Sequence, residues 1–189
     1  MNAPRPSEVL SRYGTDKNAG VPHGHTYGRF YDRVLPPHRD AAAVLEIGVQ
    51  YGESLRAWRD YFPRARICGV DVDPRFRVVE DRIETVALDA GDPAALERFA
   101  REHAGAFDVI IDDGSHRLAD QLLALRVLAA ALAPGGLFVV EDVASAAHAP
   151  RFAERGCVVE EWDTDQRWDN RVAWCVRARD THEEIAHAS

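Results

Sequence analysis

Residues 44–52 read Val44-Leu45-Glu46-Ile47-Gly48-Val49-Gln50-Tyr51-Gly52, and they give the strongest indication of the fold class. A short apolar run over residues 43–47 leads straight into a turn that contains two glycines. The segment after it, from Glu53 to Tyr61, places Leu55 and Trp58 at helical spacing. A strand, a glycine turn and an amphipathic helix in this order are typical of a β–α unit in a parallel sheet.

The same pattern recurs along the chain, with apolar runs that end in acidic residues alternating with helix-length amphipathic segments. Asp92-Pro93 adds a capping residue and a first-turn proline to one of these helices. The pattern predicts an α/β protein with a Rossmann-like, doubly wound sheet. Further strands are predicted over residues 66–71, 85–89, 107–112 and 137–140, and helices over residues 93–102, 118–132 and 150–154.

The last part of the chain changes character. Residues 157–162 and 171–178 are strand-like, and the polar segment between them is too short for a crossover helix. They are therefore expected to form an antiparallel hairpin at the sheet edge, which completes a mostly parallel, seven-stranded sheet. We assign residues 41–180 to the domain and 181–189 to a flexible tail. Residues 1–40 form an N-terminal segment that is either a loop region or a lid.

Composition excludes several classes of function. The formal net charge of -8 and the dispersed arginines disfavour binding to nucleic acid. No apolar stretch approaches the roughly 20 residues that a membrane span requires, and the first residues lack the apolar core of a signal peptide. A cytoplasmic protein without nucleic-acid or membrane partners is therefore expected, and assembly into a homo-oligomer is left open.

A cofactor site is predicted at the turn after the first strand. Gly48 and Gly52 would let the backbone approach a ligand closely, and Asp71 ends the next strand about 20 residues on, where it could bind ribose hydroxyls. The glycine spacing differs from that of dinucleotide-binding turns, and Glu46 would repel phosphate. These features favour a cationic cofactor without phosphate. Asp89 could contact the adenine or cap the following helix.

A second group of polar residues follows the fourth and fifth strands. Asp113 and His116 come after one strand, and Glu141 and Asp142 after the next. Adjacent parallel strands lie about 5 Å apart and open onto the same crevice, so these side chains can converge. Converging carboxylates require compensation, for which Mg²⁺ or another divalent cation is the simplest choice. We predict Asp113, Glu141 and Asp142 as metal ligands and His116 as a general base.

Four motifs carry a resemblance to a known family. They are Tyr13-Gly14-Thr15-Asp16-Lys17, Leu45-Glu46-Ile47-Gly48-Val49, Ile111-Asp112-Asp113-Gly114-Ser115-His116 and Val140-Glu141-Asp142. The chain resembles class I S-adenosylmethionine-dependent methyltransferases and, more narrowly, the metal-dependent sugar O-methyltransferases of macrolide biosynthesis. The resemblance implies the same roles for the metal ligands and for His116. It implies cofactor contacts from Glu46, Gly48, Gly52, Asp71, Asp89 and Asp112, to which we add Gln50 and Ser54.

The function expected from these features is methyl transfer from S-adenosylmethionine to a hydroxyl of a small molecule. A sugar or a glycosylated natural product of antibiotic biosynthesis is the expected acceptor. Two alternatives remain open at this stage. One is a methyltransferase fold with another activity, such as a hydroxylase-like tailoring reaction. The other is a non-catalytic assembly protein that keeps the cofactor pocket.

Overall fold

The computed structural model describes residues 3–18, 24–162 and 171–178, and its strands form a seven-stranded sheet in the order β3-β2-β1-β4-β5-β7-β6. Strands β1 to β5 are parallel, whereas β7 runs antiparallel to both β5 and the edge strand β6. The predicted Rossmann-like sheet and its C-terminal antiparallel pair are confirmed. The strands are β1 (Ala43–Ile47), β2 (Arg66–Asp71), β3 (Ile83–Ala87), β4 (Phe107–Asp112), β5 (Leu132–Val140), β6 (Val158–Glu161) and β7 (Arg171–Val176).

Helices cover both faces of the sheet, as a doubly wound fold requires. Alternation along the strands separates two buried clusters: Val44 and Val109 pack with α1 to α3, whereas Leu45 and Ile110 pack with α4 to α6. The helices are α1 (Pro6–Tyr13), α2 (Tyr27–Val34), α3 (Glu53–Tyr61), α4 (Pro93–Glu102), α5 (Leu118–Leu128) and α6 (Ala149–Ala153), with 3₁₀ turns at Pro36–His38 and Ala146–His148.

The boundary between α5 and β5 differs from the prediction. The helix ends at Leu128, not at Leu132, and the strand begins at Leu132, before the proline and glycines that were expected to separate the two. The backbone NH of Phe107 bonds the carbonyl of Ala131, and Phe107 pairs with Leu132 in the sheet. Pairing with β4 therefore outweighs the helical pattern of the alanine-rich stretch. Strand β3 also lies two residues earlier than predicted.

The N-terminal segment packs onto the domain. Val9 and Leu10 of α1 and Phe30 of α2 are buried in the cluster that contains α3. The domain limit at residue 40 stays a prediction. The predicted tail, residues 181–189, and the predicted loop between the last two strands lie outside the described residues.

Among the helices that the structure describes, none combines the length and the apolar character needed to cross a bilayer. The cytoplasmic location stays a prediction.

Candidate active site

A cavity of about 690 Å³ opens at the carboxyl ends of β1, β2, β3 and β4. This is the crevice at which open α/β sheets bind ligands, and its volume lies in the range of small-molecule sites. The structure places eight predicted site residues on its walls and four elsewhere. Those on the walls are Gly48, Gln50, Ser54, Asp71, Asp89, Asp112, Asp113 and His116, whereas Glu46, Gly52, Glu141 and Asp142 do not line it.

The turn after β1 is built by close contact with its neighbours. Gly48 has φ +89°, and a Cβ at this position would lie 2.1 Å from the carbonyl oxygen of Asp113. The glycine is thus required by packing against the loop after β4, not only by the approach of a ligand. Asp71 accepts hydrogen bonds from the backbone NH of Val49 at 2.8 Å and of Gln50 at 3.3 Å, and these bonds hold the turn.

Glu46 lies behind the cavity. Its side chain is fully buried and accepts hydrogen bonds from Ser54 Oγ at 2.8 Å and Trp58 Nε1 at 3.0 Å. Burial raises the pKa of Glu46 to about 7. Its other oxygen lies 3.1 Å from Lys17 Nζ. Because Lys17 offsets its charge, Glu46 gives weaker grounds for excluding phosphate than the sequence pattern suggested.

Asp89 and Asp112 complete the cofactor side of the cavity. The cap of α4 is Asp92, which accepts from the NH of Ala94 at 2.9 Å. Asp89 instead accepts from Gly91 NH at 2.8 Å and faces the cavity. Asp92, not Asp89, therefore caps the helix, and the contact of Asp89 with the adenine stays a prediction. Burial raises the pKa of Asp112 to about 7.

At the other end of the cavity, His116 lies between two carboxylates. Its Nδ1 is 2.9 Å from Asp142 Oδ2, and its Nε2 is 3.8 Å from Asp113 Oδ1. The bond to Asp142 and the charges of nearby acids raise the pKa of His116 to about 9. His116 and Asp142 have φ of +59° and +54°, unusual values for residues with side chains. Backbone strain of this kind concentrates at functional sites.

Lys17 is the main residue whose role the sequence analysis missed. Its side chain is 1% exposed, and its Nζ bonds Asp113 Oδ2 and lies 2.7 Å from Glu141 Oε2. Burial opposes its charge, but the three surrounding acids outweigh burial and raise the pKa of Lys17 well above its usual value. A signal was present, because Lys17 is the only lysine in a chain with 22 arginines.

Three further residues from the N-terminal segment contact the acid cluster, which consists of Asp113, Glu141 and Asp142. Tyr27 OH donates to Asp142 Oδ1 at 2.6 Å, and Tyr31 OH donates to Glu141. His25 Nε2 lies 3.3 Å from Asp142 Oδ1. The only sequence signal was the spacing of the two tyrosines, four residues apart, which places them on one face of α2.

The cluster has an excess of negative charge, which fits a cation. Single ligand atoms of Asp113, His116 and Asp142 lie within 4.8 Å of one another. Both oxygens of Glu141 instead face protein donors, Lys17 and Tyr31. Burial, together with the neighbouring acids, raises the pKa of Asp113 and of Glu141. The carboxylate oxygens of Asp113 and Asp142 are hard ligands of the kind that suit a divalent ion such as Mg²⁺.

Fold and site together define a Rossmann-like class I methyltransferase domain, and residues 45–138 match the family model described as a methyltransferase domain. The predicted resemblance is thereby confirmed. Within this class the chain is similar to sugar O-methyltransferases of antibiotic pathways. It is 43% identical over 140 residues to the 8-demethyl-8-alpha-L-rhamnosyl tetracenomycin-C 2'-O-methyltransferase of Streptomyces olivaceus, covering 70% of this chain and 36% of the relative.

Two further comparisons concern mycinamicin enzymes. The mycinamicin VI 2''-O-methyltransferase of Micromonospora griseorubida is 40% identical over 145 residues, which cover 72% of this chain and 35% of that protein. The crystal structure of the MycE methyltransferase with Mg and S-adenosylhomocysteine superimposes with a TM-score of 0.75 at 30% identity, covering 94% of this chain and 56% of that one. The chain thus spans about a third of the length of the curated relatives it matches.

Proposed function

We propose that the protein is an S-adenosylmethionine-dependent O-methyltransferase whose acceptor is a hydroxyl of a sugar or a glycosylated natural product. The observation that carries this proposal is the continuity of the site. One cavity runs from the strand-end carboxylates Asp71 and Asp89 to Asp113 and His116. A cofactor bound at the first end would present its methyl group towards the second.

The relatives support the choice of acceptor. The two curated relatives described above are named for methylation of a rhamnosyl tetracenomycin and of mycinamicin VI. MycE has also been crystallised with Mg, S-adenosylhomocysteine and mycinamycin VI. Each of these acceptors is a hydroxylated small molecule.

For the cofactor, we assign direct contacts to residues on the cavity wall and an indirect role to Glu46. Asp71 would accept from ribose hydroxyls, and Asp89 would accept from the adenine amino group. Glu46 anchors the start of α3 through Ser54 and Trp58. The assigned wall residues are Gly48, Gln50, Ser54, Asp71, Asp89 and Asp112, with Gly52 keeping the turn that presents them.

For the cation, we propose Asp113, Glu141 and Asp142 as the ligands. The supporting observation is that Asp113 and Asp142 approach each other across His116, and that Asp113 and Glu141 already share one cationic group, Lys17. A divalent cation would stabilise negative charge on the acceptor oxygen. It would also weaken the hold of the acids on the His116 proton.

His116 supplies the base in this scheme. If Nδ1 carries the proton that is donated to Asp142, the lone pair of Nε2 is free to accept the proton of the acceptor hydroxyl. The acceptor oxygen then forms its bond to the methyl carbon as the bond from carbon to sulfur breaks. The proton moves to His116, and S-adenosylhomocysteine leaves as a neutral thioether.

The proposal is tested by measuring S-adenosylhomocysteine release with a panel of rhamnosides and macrolide glycosides. Release should require an acceptor, stop after exhaustive chelation and return with Mg²⁺. Calorimetry should show S-adenosylmethionine binding in the micromolar range, about -8 kcal/mol. Cofactor binding without turnover on any hydroxylated acceptor would favour an assembly role, whereas oxidation of the acceptor would favour hydroxylase-like chemistry. Full activity after chelation would remove the cation from the mechanism.

A further inference from the structure

The position of Lys17 raises a question that the proposed function does not answer. Its ammonium contacts carboxylates from three separate strand ends: Glu46 at the end of β1, Asp113 after β4 and Glu141 after β5. Two of these three are proposed cation ligands. The ammonium therefore bonds two of the carboxylates that a divalent ion would need.

Charge balance gives this contact a consequence. Buried carboxylates without a counter-charge are strongly unfavourable, and removing one member of a buried ion pair is more costly than the pair is stabilising. Lys17 lets the carboxylates of Glu46, Asp113 and Glu141 remain together in the protein without a metal. The same positive charge opposes the entry of a second cation at Asp113 and Glu141.

We propose that Lys17 is a built-in counter-ion that holds the acid cluster in place before the metal binds and lowers the affinity of the site for Mg²⁺. The inference rests on the proposed metal site. Lys17 is a positioning residue, because it acts through Asp113 and Glu141. When Mg²⁺ binds, the ammonium gives up its bonds to these two acids and keeps its ion pair with Glu46, whose Oε1 accepts no hydrogen bond from the part of the chain that the structure describes.

Glu46 lies between the two halves of the site, which gives the exchange a second effect. It touches Lys17 on one side and Ser54, on the cavity wall, on the other. A stronger bond between Lys17 and Glu46 in the metal-bound protein would shift the Glu46 carboxylate, and with it the Ser54 hydroxyl that donates to it. Metal binding and cofactor binding should therefore be coupled through Lys17.

The test compares the wild type with Lys17→Met after treatment with a chelator. Lys17→Met should lower the midpoint of thermal unfolding without metal, because three buried acids lose their counter-charge. Calorimetry should then show Mg²⁺ binding that is tighter than in the wild type, on the order of tenfold, as is common for directly contacting groups. A residue that served only to hold the ligands would give the opposite change in affinity. The matched control is Arg75→Met, which removes an exposed cation paired with Asp73.

A second variant separates charge from packing. Lys17→Met with Glu46→Gln removes one positive and one negative group, so the metal-free unfolding midpoint should recover part of the loss. No recovery, together with an Mg²⁺ affinity equal to that of the wild type, would overturn the proposal. Absence of Mg²⁺ binding in every variant would overturn the metal site itself, and this inference with it.

A spectroscopic measurement covers the case in which Lys17→Met does not fold. Since Lys17 is the only lysine, wild-type protein labelled with ζ-¹⁵N lysine gives one ammonium resonance. Saturating Mg²⁺ should shift this resonance as the bonds to Asp113 and Glu141 are exchanged. A resonance that stays unchanged while calorimetry records Mg²⁺ binding would contradict the proposal.

Discussion

The two ends of the cavity are built in different ways. At the cofactor end, Asp71, Asp89 and Asp112 accept hydrogen bonds from backbone NH groups of nearby loops, as Asp71 does from Val49. At the acid cluster, the partners come from far along the chain: Lys17 reaches Glu141 across 124 positions, and Tyr27 reaches Asp142 across 115.

In the proposed function, this difference separates the residues that bind the cofactor from the residues that carry out methyl transfer. The cofactor end depends on turn conformations that each strand–loop unit supplies by itself. The acid cluster depends on the N-terminal segment being docked, because α2 and Lys17 add hydrogen-bond donors and a positive charge to those of His116. Changes at the acid cluster should therefore alter turnover and metal binding, whereas changes at the cofactor end should alter cofactor affinity and local stability.

The largest effect is expected from His116→Ala. Loss of a positioned base should lower turnover by roughly 10²–10⁴-fold, while S-adenosylmethionine binding measured by calorimetry stays nearly unchanged. His103→Ala is the control, because His103 stacks on Phe99 and does not line the cavity. Near-normal turnover of His116→Ala with an unchanged pH profile would assign deprotonation to another group.

His116 also gives the stability of the metal-free protein a pH dependence. Its pKa in the folded state, about 9, lies above the usual value of 6.5, so its contribution to stability is full below about pH 6.5. That contribution is lost as the pH rises through 9. The difference in unfolding midpoint between wild type and His116→Ala, measured in chelator, should therefore shrink across this interval. A difference that grows with pH would contradict the assigned interaction with Asp142.

Gly48→Ala probes the contact that joins the two ends. The new Cβ would meet the carbonyl oxygen of Asp113 at 2.1 Å, and the backbone is at positive φ. We expect a loss of about 2–4 kcal/mol in the free energy of unfolding, since backbone strain and overpacking add. Denaturant unfolding measures it.

A matched glycine separates the two causes. Gly105→Ala has a similar φ of +66°, with no atom of the described residues within 4 Å of the new Cβ, so it should show the cost of backbone strain alone, about 1–2 kcal/mol. Equal losses in the two variants would mean that the contact between Gly48 and Asp113 is not tight.

The cofactor end was predictable from sequence because each of its signals is local. Asp71 ends β2, and the turn residues Gly48 and Gln50 follow β1 directly, so strand assignment alone placed them together. The error between α5 and β5 arose where a local signal was ambiguous. An apolar alanine-rich stretch fits either element, and the pairing of Leu132 with Phe107 decided it.

The acid cluster was predictable only in part. Parallel strand ends predicted that Asp113 and Asp142 would approach each other, as they do across His116. The partners from the N-terminal segment were missed because Lys17 and Tyr31 meet residues more than 100 positions away only in the folded chain. No periodicity in the sequence links such distant positions. The converging acids have no basic residue next to them in sequence, yet in the folded chain Lys17 provides their counter-charge.

The smallest effect concerns Asp89 and Asp92, three residues apart at the cofactor end. Asp92→Ala removes the cap of α4 and should cost about 1 kcal/mol of stability while leaving S-adenosylmethionine affinity unchanged. Asp89→Asn should do the reverse, weakening cofactor binding several-fold, because one carboxylate acceptor in the cavity becomes an amide. Calorimetry and denaturant unfolding are applied to both variants. Asp92→Ala should change only the free energy of unfolding, and Asp89→Asn should change only the cofactor affinity. If Asp89→Asn leaves cofactor affinity intact, the bond from Gly91 NH is its main role, and the adenine is recognised by other groups on the cavity wall.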